Sequence, residues 1–83
     1  MHIRETIYSA VTTVAKEQKL TLPPLTDDIE LLTALDSLSV AVLVAKLEDT
    51  LRLDPFGRDD VEIPVTLGDL VRLYETAAAN ADA

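Results

Sequence analysis

The residues best suited to chemistry are Leu35-Asp36-Ser37-Leu38, where a hydroxyl lies between a carboxylate and large aliphatic side chains. They stand where an acidic stretch gives way to an apolar run, 40–53. Asp is a favoured residue immediately before a helix, because its side chain accepts hydrogen bonds from the free backbone N–H groups. We therefore expect a helix to begin at Ser37 and to leave the Ser37 hydroxyl exposed at its first turn.

Catalysis by Ser37 itself is not expected. A serine nucleophile needs a general base and an oxyanion hole. The one histidine, His2, stands near the start of the chain, and no Gly-x-Ser-x-Gly turn surrounds Ser37. We interpret Ser37 as the substrate of a modifying enzyme, with simple helix capping by Asp36 and Ser37 as the plainer alternative.

Metal and phosphate sites are not expected either. The acids in 27–30 and 54–62 are oxygen ligands of the kind that calcium binds. Neither stretch follows the calcium-loop spacing with a glycine at its sixth position. The two glycines, Gly57 and Gly68, are separate and form no phosphate-binding loop.

Charge and composition restrict the class of partner. Fifteen acids against seven bases give a net charge of −8, which disfavours nucleic acids and anionic lipids and favours partners with basic patches. The absence of cysteine excludes disulfides. No apolar run reaches the roughly 18 residues of a membrane span, and no signal peptide is evident. We expect a cytoplasmic monomer without a membrane span.

The apolar spacing predicts one all-α domain over 1–83: a small bundle of three long helices and one short helix, with a long loop between the first and second helices. The predicted ranges are 3–18, 37–52 and 67–78 for the long helices, 56–61 for the short one, and 79–83 for a frayed tail. A further helical turn is expected near 28–32. Phe56, Val61 and Ile63 are expected to point inward. Thr66 and Asp69 form a capping box before the last helix.

The second long helix is apolar on more than one side. Its inward stripe is predicted to consist of Val40, Leu43, Val44, Leu47 and Leu51. Further apolar residues lie off that stripe, namely Leu38, Ala41, Val42 and Ala45. A helix of this kind is either fully buried or offers a face to a partner, and full burial is hard in so small a bundle.

In the order and spacing of these features the chain resembles the acyl carrier proteins, the phosphopantetheine-attachment domains. Residues 26–32 resemble the acidic approach to the attachment site, Leu35-Asp36-Ser37-Leu38 fits the Asp-Ser-Leu motif, 40–51 fits the second helix, and 65–71 fits the start of the last helix. The resemblance covers nearly the whole chain.

The resemblance implies that the chain is a non-catalytic carrier. A phosphopantetheinyl transferase would join 4′-phosphopantetheine from coenzyme A to Ser37, with Asp36 supporting the modification, and the thiol of the arm would carry an acyl or aminoacyl group loaded by a ligase. The expected contacts with this ligase and with downstream biosynthetic enzymes are Leu38, Ser39, Ala41, Val42, Ala45 and Glu48, with Asp27 and Asp28 attracting basic patches.

The chain departs from the fatty-acid-synthesis members of the family. Those proteins carry an acid directly after the motif and another three residues later, where this chain has Ser39 and Val42, and usually a methionine where Ala45 stands. We therefore expect a specialised carrier. An aminoacyl or peptidyl carrier protein, and an interaction module that keeps the fold without the modification, remain the alternatives.

Overall fold

The computed structural model describes residues 2–56 and 63–81, and its architecture is a bundle of helices. The helices are α1 (Ile3–Glu17), α2 (Leu31–Ala34), α3 (Ser37–Leu51) and α4 (Leu67–Ala81). Three of them have 15 residues and α2 has four. The predicted fold class, with its long loop between the first two long helices, is confirmed.

The core lies between the apolar stripes of α1, α3 and α4. Helices of this length are marginal in water by themselves, so their packing against one another is what stabilises them. The fully buried apolar side chains of the core are Ile7, Val11, Val14, Leu35, Leu43, Leu47, Leu67, Leu70, Val71 and Tyr74. On α3 the predicted inward stripe is only partly confirmed, because Val40 and Val44 are half-buried.

The long loop packs against the core through its aliphatic residues. Leu20, Leu22 and Leu25 are partly buried against it. Near its end, the loop pairs with the segment before α4 through one antiparallel bridge between Glu30 and Thr66. The backbone N–H of Leu31 donates to the carbonyl of Val65, 2.8 Å away, at this bridge. The connection therefore ends in a defined position.

The short helix lies at Leu31–Ala34, slightly later than the turn expected near 28–32. The short helix predicted over 56–61, together with the inward position of Val61, falls largely outside the described residues. Phe56 is half-buried and meets Tyr74 edge to face, with ring centroids 6.4 Å apart. The last helix runs to Ala81, three residues beyond its predicted end.

Ile63 does not point inward as expected, since 86% of it is exposed. Exposure alternates along the segment before α4: Ile63 and Val65 are exposed, whereas Pro64 and Thr66 are half-buried. Successive side chains of an extended segment point to opposite sides. Because the bridge to the loop sets which side faces the protein, Ile63 is turned to the surface.

Candidate functional site

Asp36 caps α3 as predicted. Its backbone is extended, and its carboxylate accepts a hydrogen bond from the backbone N–H of Ser39 at 2.7 Å. That bond is the main reason why the pKa of Asp36 lies below its ordinary value, so the carboxylate is ionised at neutral pH. The cap fixes where α3 begins and therefore where Ser37 stands.

Ser37 is the first residue of α3, and it is exposed. The first N–H groups of a helix have no partner within the helix and carry the positive end of its dipole. The hydroxyl of Ser37 is therefore accessible, in a position that favours a negatively charged substituent.

An apolar cleft of about 160 Å³ lies beside the first turns of α3. Val40 and Val44 follow Ser37 at positions i+3 and i+7, so all three share one face of the helix. The cleft is completed by α2, by the segment before α4 and by Phe56. Its lining residues are Leu31, Leu32, Val40, Val44, Phe56, Ile63, Pro64 and Leu70. The half-buried state of Val40 and Val44 follows from this opening.

The surface around Ser37 is apolar and acidic. Leu38 is 66% exposed and Leu32 is 69% exposed. Of the other residues expected to meet partners, Ala41, Ala45 and Glu48 are exposed on α3. Val42 is only half-buried and packs partly against the core. Between Lys19 and Lys46 the sequence has four acids and no basic residue.

Ser39 cannot contact a partner, and its expected place in the recognition face is wrong. Its exposure is 0%, because the third residue of α3 lies on the inward side of the helix. The hydroxyl has no hydrogen-bond partner among the described residues. It lies near enough to Asp36 to help lower the pKa of that carboxylate, but outside hydrogen-bond geometry.

Asp27 was expected to attract basic partners, but its carboxylate is engaged within the chain. It accepts hydrogen bonds from the guanidinium of Arg4 and from the hydroxyl of Tyr8, both on α1. The bond from Arg4 is the largest cause that holds the pKa of Asp27 below its ordinary value, and the bond from Tyr8 is the second. Asp28, beside it, is exposed and remains a candidate for partner contact.

Gly68 also meets Asp27, and sequence reasoning missed it. The backbone N–H of Gly68 donates to the carbonyl of Asp27 at 2.9 Å. A Cβ at position 68 would lie 2.9 Å from the Cβ and 3.1 Å from the carbonyl oxygen of Asp27. The only sequence signal was a glycine inside a helix start, where other residues are better helix formers.

His2 does not lie near Ser37. It lines a separate groove of about 530 Å³ between α1 and the far end of α3, together with Asp49 and Thr50. The rise of 1.5 Å per residue puts Thr50 about 20 Å along the helix from Ser37. The structure therefore does not bring the histidine and the motif serine together.

Within 2–56 and 63–81 no group of three or more potential metal ligands comes together. Among the same residues, no helix is both long enough and apolar enough to cross a membrane. Comparisons of the chain with protein-family models, with curated proteins and with solved structures each found no match.

Proposed function

We propose that this chain is an acyl carrier protein and that Ser37 is the attachment point of its 4′-phosphopantetheine arm. The observation that carries the proposal is the position of Ser37: exposed, first in a capped helix, and on the face that lines an apolar cleft. Together with the order of motifs along the chain, this placement suits a serine that other enzymes modify.

The residues present fit the arm. Its phosphate would lie at the start of α3, where free N–H groups and the helix dipole favour an anion. The ionised carboxylate of Asp36 is already engaged with the N–H of Ser39, so it holds the helix start in place and does not serve as a base for Ser37. When bound, the arm supplies a thiol that carries the cargo as a thioester, and this chain has no thiol of its own.

The modification needs a second protein. The Ser37 oxygen would form a new bond to the β-phosphorus of coenzyme A and displace adenosine 3′,5′-bisphosphate, while a base of the transferase takes the hydroxyl proton. His2 lies at the other end of α3 and does not take part. The chain is therefore proposed as a non-catalytic substrate of a phosphopantetheinyl transferase and of an acyl- or aminoacyl-loading ligase.

Partner enzymes would dock on the surface around Ser37. Leu32 and Leu38 offer exposed aliphatic contact, and Asp28 and Glu48 offer negative charge to basic patches. At the place after the motif where fatty-acid-synthesis carriers have an acid, this chain has the buried Ser39. That difference supports a specialised acyl carrier with its own ligase. A cytoplasmic location and a monomeric state are part of the same proposal.

The exposed Leu32 and Leu38 also favour a second candidate, an interaction module that binds a protein partner and is never modified. Mass spectrometry of the intact chain separates the two. The chain is incubated with coenzyme A, magnesium and a broad-specificity phosphopantetheinyl transferase, beside Ser37→Ala and the control Ser9→Ala. Ser9 is an exposed serine on α1, away from the motif.

The carrier predicts that the wild-type chain and Ser9→Ala each gain one phosphopantetheine group and that Ser37→Ala gains none. A wild-type chain that stays unmodified would favour the interaction module. A Ser37→Ala chain that still gains the group would place the attachment point elsewhere.

A further inference from the structure

Asp27 is the residue at which α1, the long loop and α4 come together. Its carboxylate accepts hydrogen bonds from Arg4 and Tyr8, and its backbone carbonyl accepts one from Gly68. Hydrogen bonds between ionised groups are stronger than those between neutral ones. One loop residue therefore holds two helices that are distant in sequence.

The contact with α4 depends on the absence of a side chain at Gly68. A Cβ there would come within 3.1 Å of the Asp27 carbonyl oxygen, which is backbone and cannot turn away. Beyond this contact, the N–H of Leu67 donates to the carbonyl of Ile29 at 2.8 Å. We call these contacts of Asp27, Ile29, Leu67 and Gly68, with the side chains of Arg4 and Tyr8, the Asp27 junction.

The Asp27 junction leads directly to the motif. The N–H of Leu31 donates to Val65, and α2 begins at Leu31. One turn later the N–H of Leu35 donates to the Leu31 carbonyl at 2.8 Å, and Leu35 is buried in the core. Asp36 and Ser37 follow at once. Few residues between the Asp27 junction and Ser37 lack such contacts. A displacement at the junction should therefore also move Ser37.

We propose that Asp27 is a positioning residue, which sets the loop, α2 and the start of α3 so that Ser37 is presented in the geometry that its modifying enzyme requires. The role in presentation rests on the proposed function. The role in holding the loop does not, and the two are tested separately.

Amide hydrogen exchange tests the junction itself. In Asp27→Asn the amide remains but the charge that Arg4 meets is lost, so exchange at the N–H groups of Leu31, Leu67 and Gly68 should become about fivefold faster. Asp49→Asn, which neutralises an exposed acid at the far end of α3, is the matched control and should leave these amides unchanged. Unchanged exchange at these three amides in Asp27→Asn would overturn the proposal.

Gly68→Ala gives an independent test, because helix propensity and the crowding against Asp27 predict opposite effects on stability. Alanine stabilises a helix relative to glycine. The crowding against Asp27 should nevertheless make exchange at Leu31 faster, because the loop must move away from α4. Slower exchange throughout the loop would show that the close approach has no role in holding it.

The rate of phosphopantetheine transfer tests the presentation of Ser37. It is measured for wild type, Asp27→Asn and Asp49→Asn at a temperature at which circular dichroism shows all three folded. Misplacing a reacting group slows the chemical step more than it weakens binding. The kcat for Asp27→Asn should therefore fall about tenfold, with a smaller change in KM. An unchanged kcat would limit Asp27 to a structural role and overturn the proposal. If the wild-type chain receives no phosphopantetheine, the carrier function is refuted. The amide hydrogen exchange measurements would still test the Asp27 junction.

Discussion

Replacing Ser39 by alanine should stabilise this protein. Ser39 is fully buried in the first turn of α3, and its hydroxyl has no hydrogen-bond partner among the described residues. A buried polar group that has lost its water and gained no partner costs free energy in the folded state. Alanine removes the hydroxyl and keeps the Cβ that packs against the core.

The expected magnitude is the sum of three effects. An unsatisfied buried hydroxyl costs about 1–3 kcal/mol. Alanine is also a better helix former than serine, by roughly 0.5 kcal/mol. Against these stands the small void left by one oxygen, a few tenths of a kcal/mol at about 24 cal/mol per Å³. The free energy of unfolding should therefore rise by about 1–3 kcal/mol, and Tm by about 4–8 °C for each kcal/mol.

Urea unfolding and thermal unfolding followed by circular dichroism measure the effect. Ser9→Ala is the matched control, because Ser9 is exposed on α1 and its replacement changes helix propensity alone. The gain in unfolding free energy for Ser39→Ala should exceed that for Ser9→Ala by the desolvation cost of the hydroxyl, less the small cost of the void. If Ser39→Ala is less stable than wild type, the hydroxyl makes a hydrogen bond, with the nearby Asp36 carboxylate as the first candidate.

Two further predictions concern the core and the acid range. Leu47→Ala should lower the free energy of unfolding by about 2–5 kcal/mol, because Leu47 is fully buried. Leu38→Ala, at an exposed position, should lower it by less than about 1 kcal/mol. Equal losses would contradict the inward stripe of α3. The pKa of Asp27 lies below its ordinary value of 3.8 when the protein is folded. The ionised carboxylate therefore contributes its full stabilisation of the folded state above pH 3.8, and this stabilisation is lost as the pH falls through the lower pKa of the folded state. The stability gap between wild type and Asp27→Asn, measured by urea unfolding, should therefore close in acid; a gap that widens would refute the pairing with Arg4.

Local rules predicted much of the fold. Most apolar residues at helical spacing on α1, α3 and α4 are buried, although Val40 and Val44 of α3 are half-buried at the cleft. Such stripes can be predicted because each depends only on residues three or four positions apart. The helix caps also depend only on residues that are close along the chain. Asp36 meets the N–H of Ser39, and Thr66 and Asp69 exchange hydrogen bonds across three residues. The exposed position of Ser37 follows from the cap before it.

The errors lie where a residue's surroundings come from distant parts of the chain. Ser39 is polar, as surface residues usually are, and only the packing of α3 shows that it faces inward. Ile63 is apolar, yet the bridge between Glu30 and Thr66 turns it outward. Neither outcome can be obtained from the spacing of neighbouring residues.

By itself the sequence determined the helices, their caps and the exposed serine, because hydrogen bonds and apolar stripes within a helix connect residues that are close along the chain. Only the tertiary structure decided that Asp27 faces Arg4 and Gly68 and not a partner, and that the face of α3 below Ser37 lines a cleft. These features arise where separate elements meet, and their geometry exists only after the helices have packed.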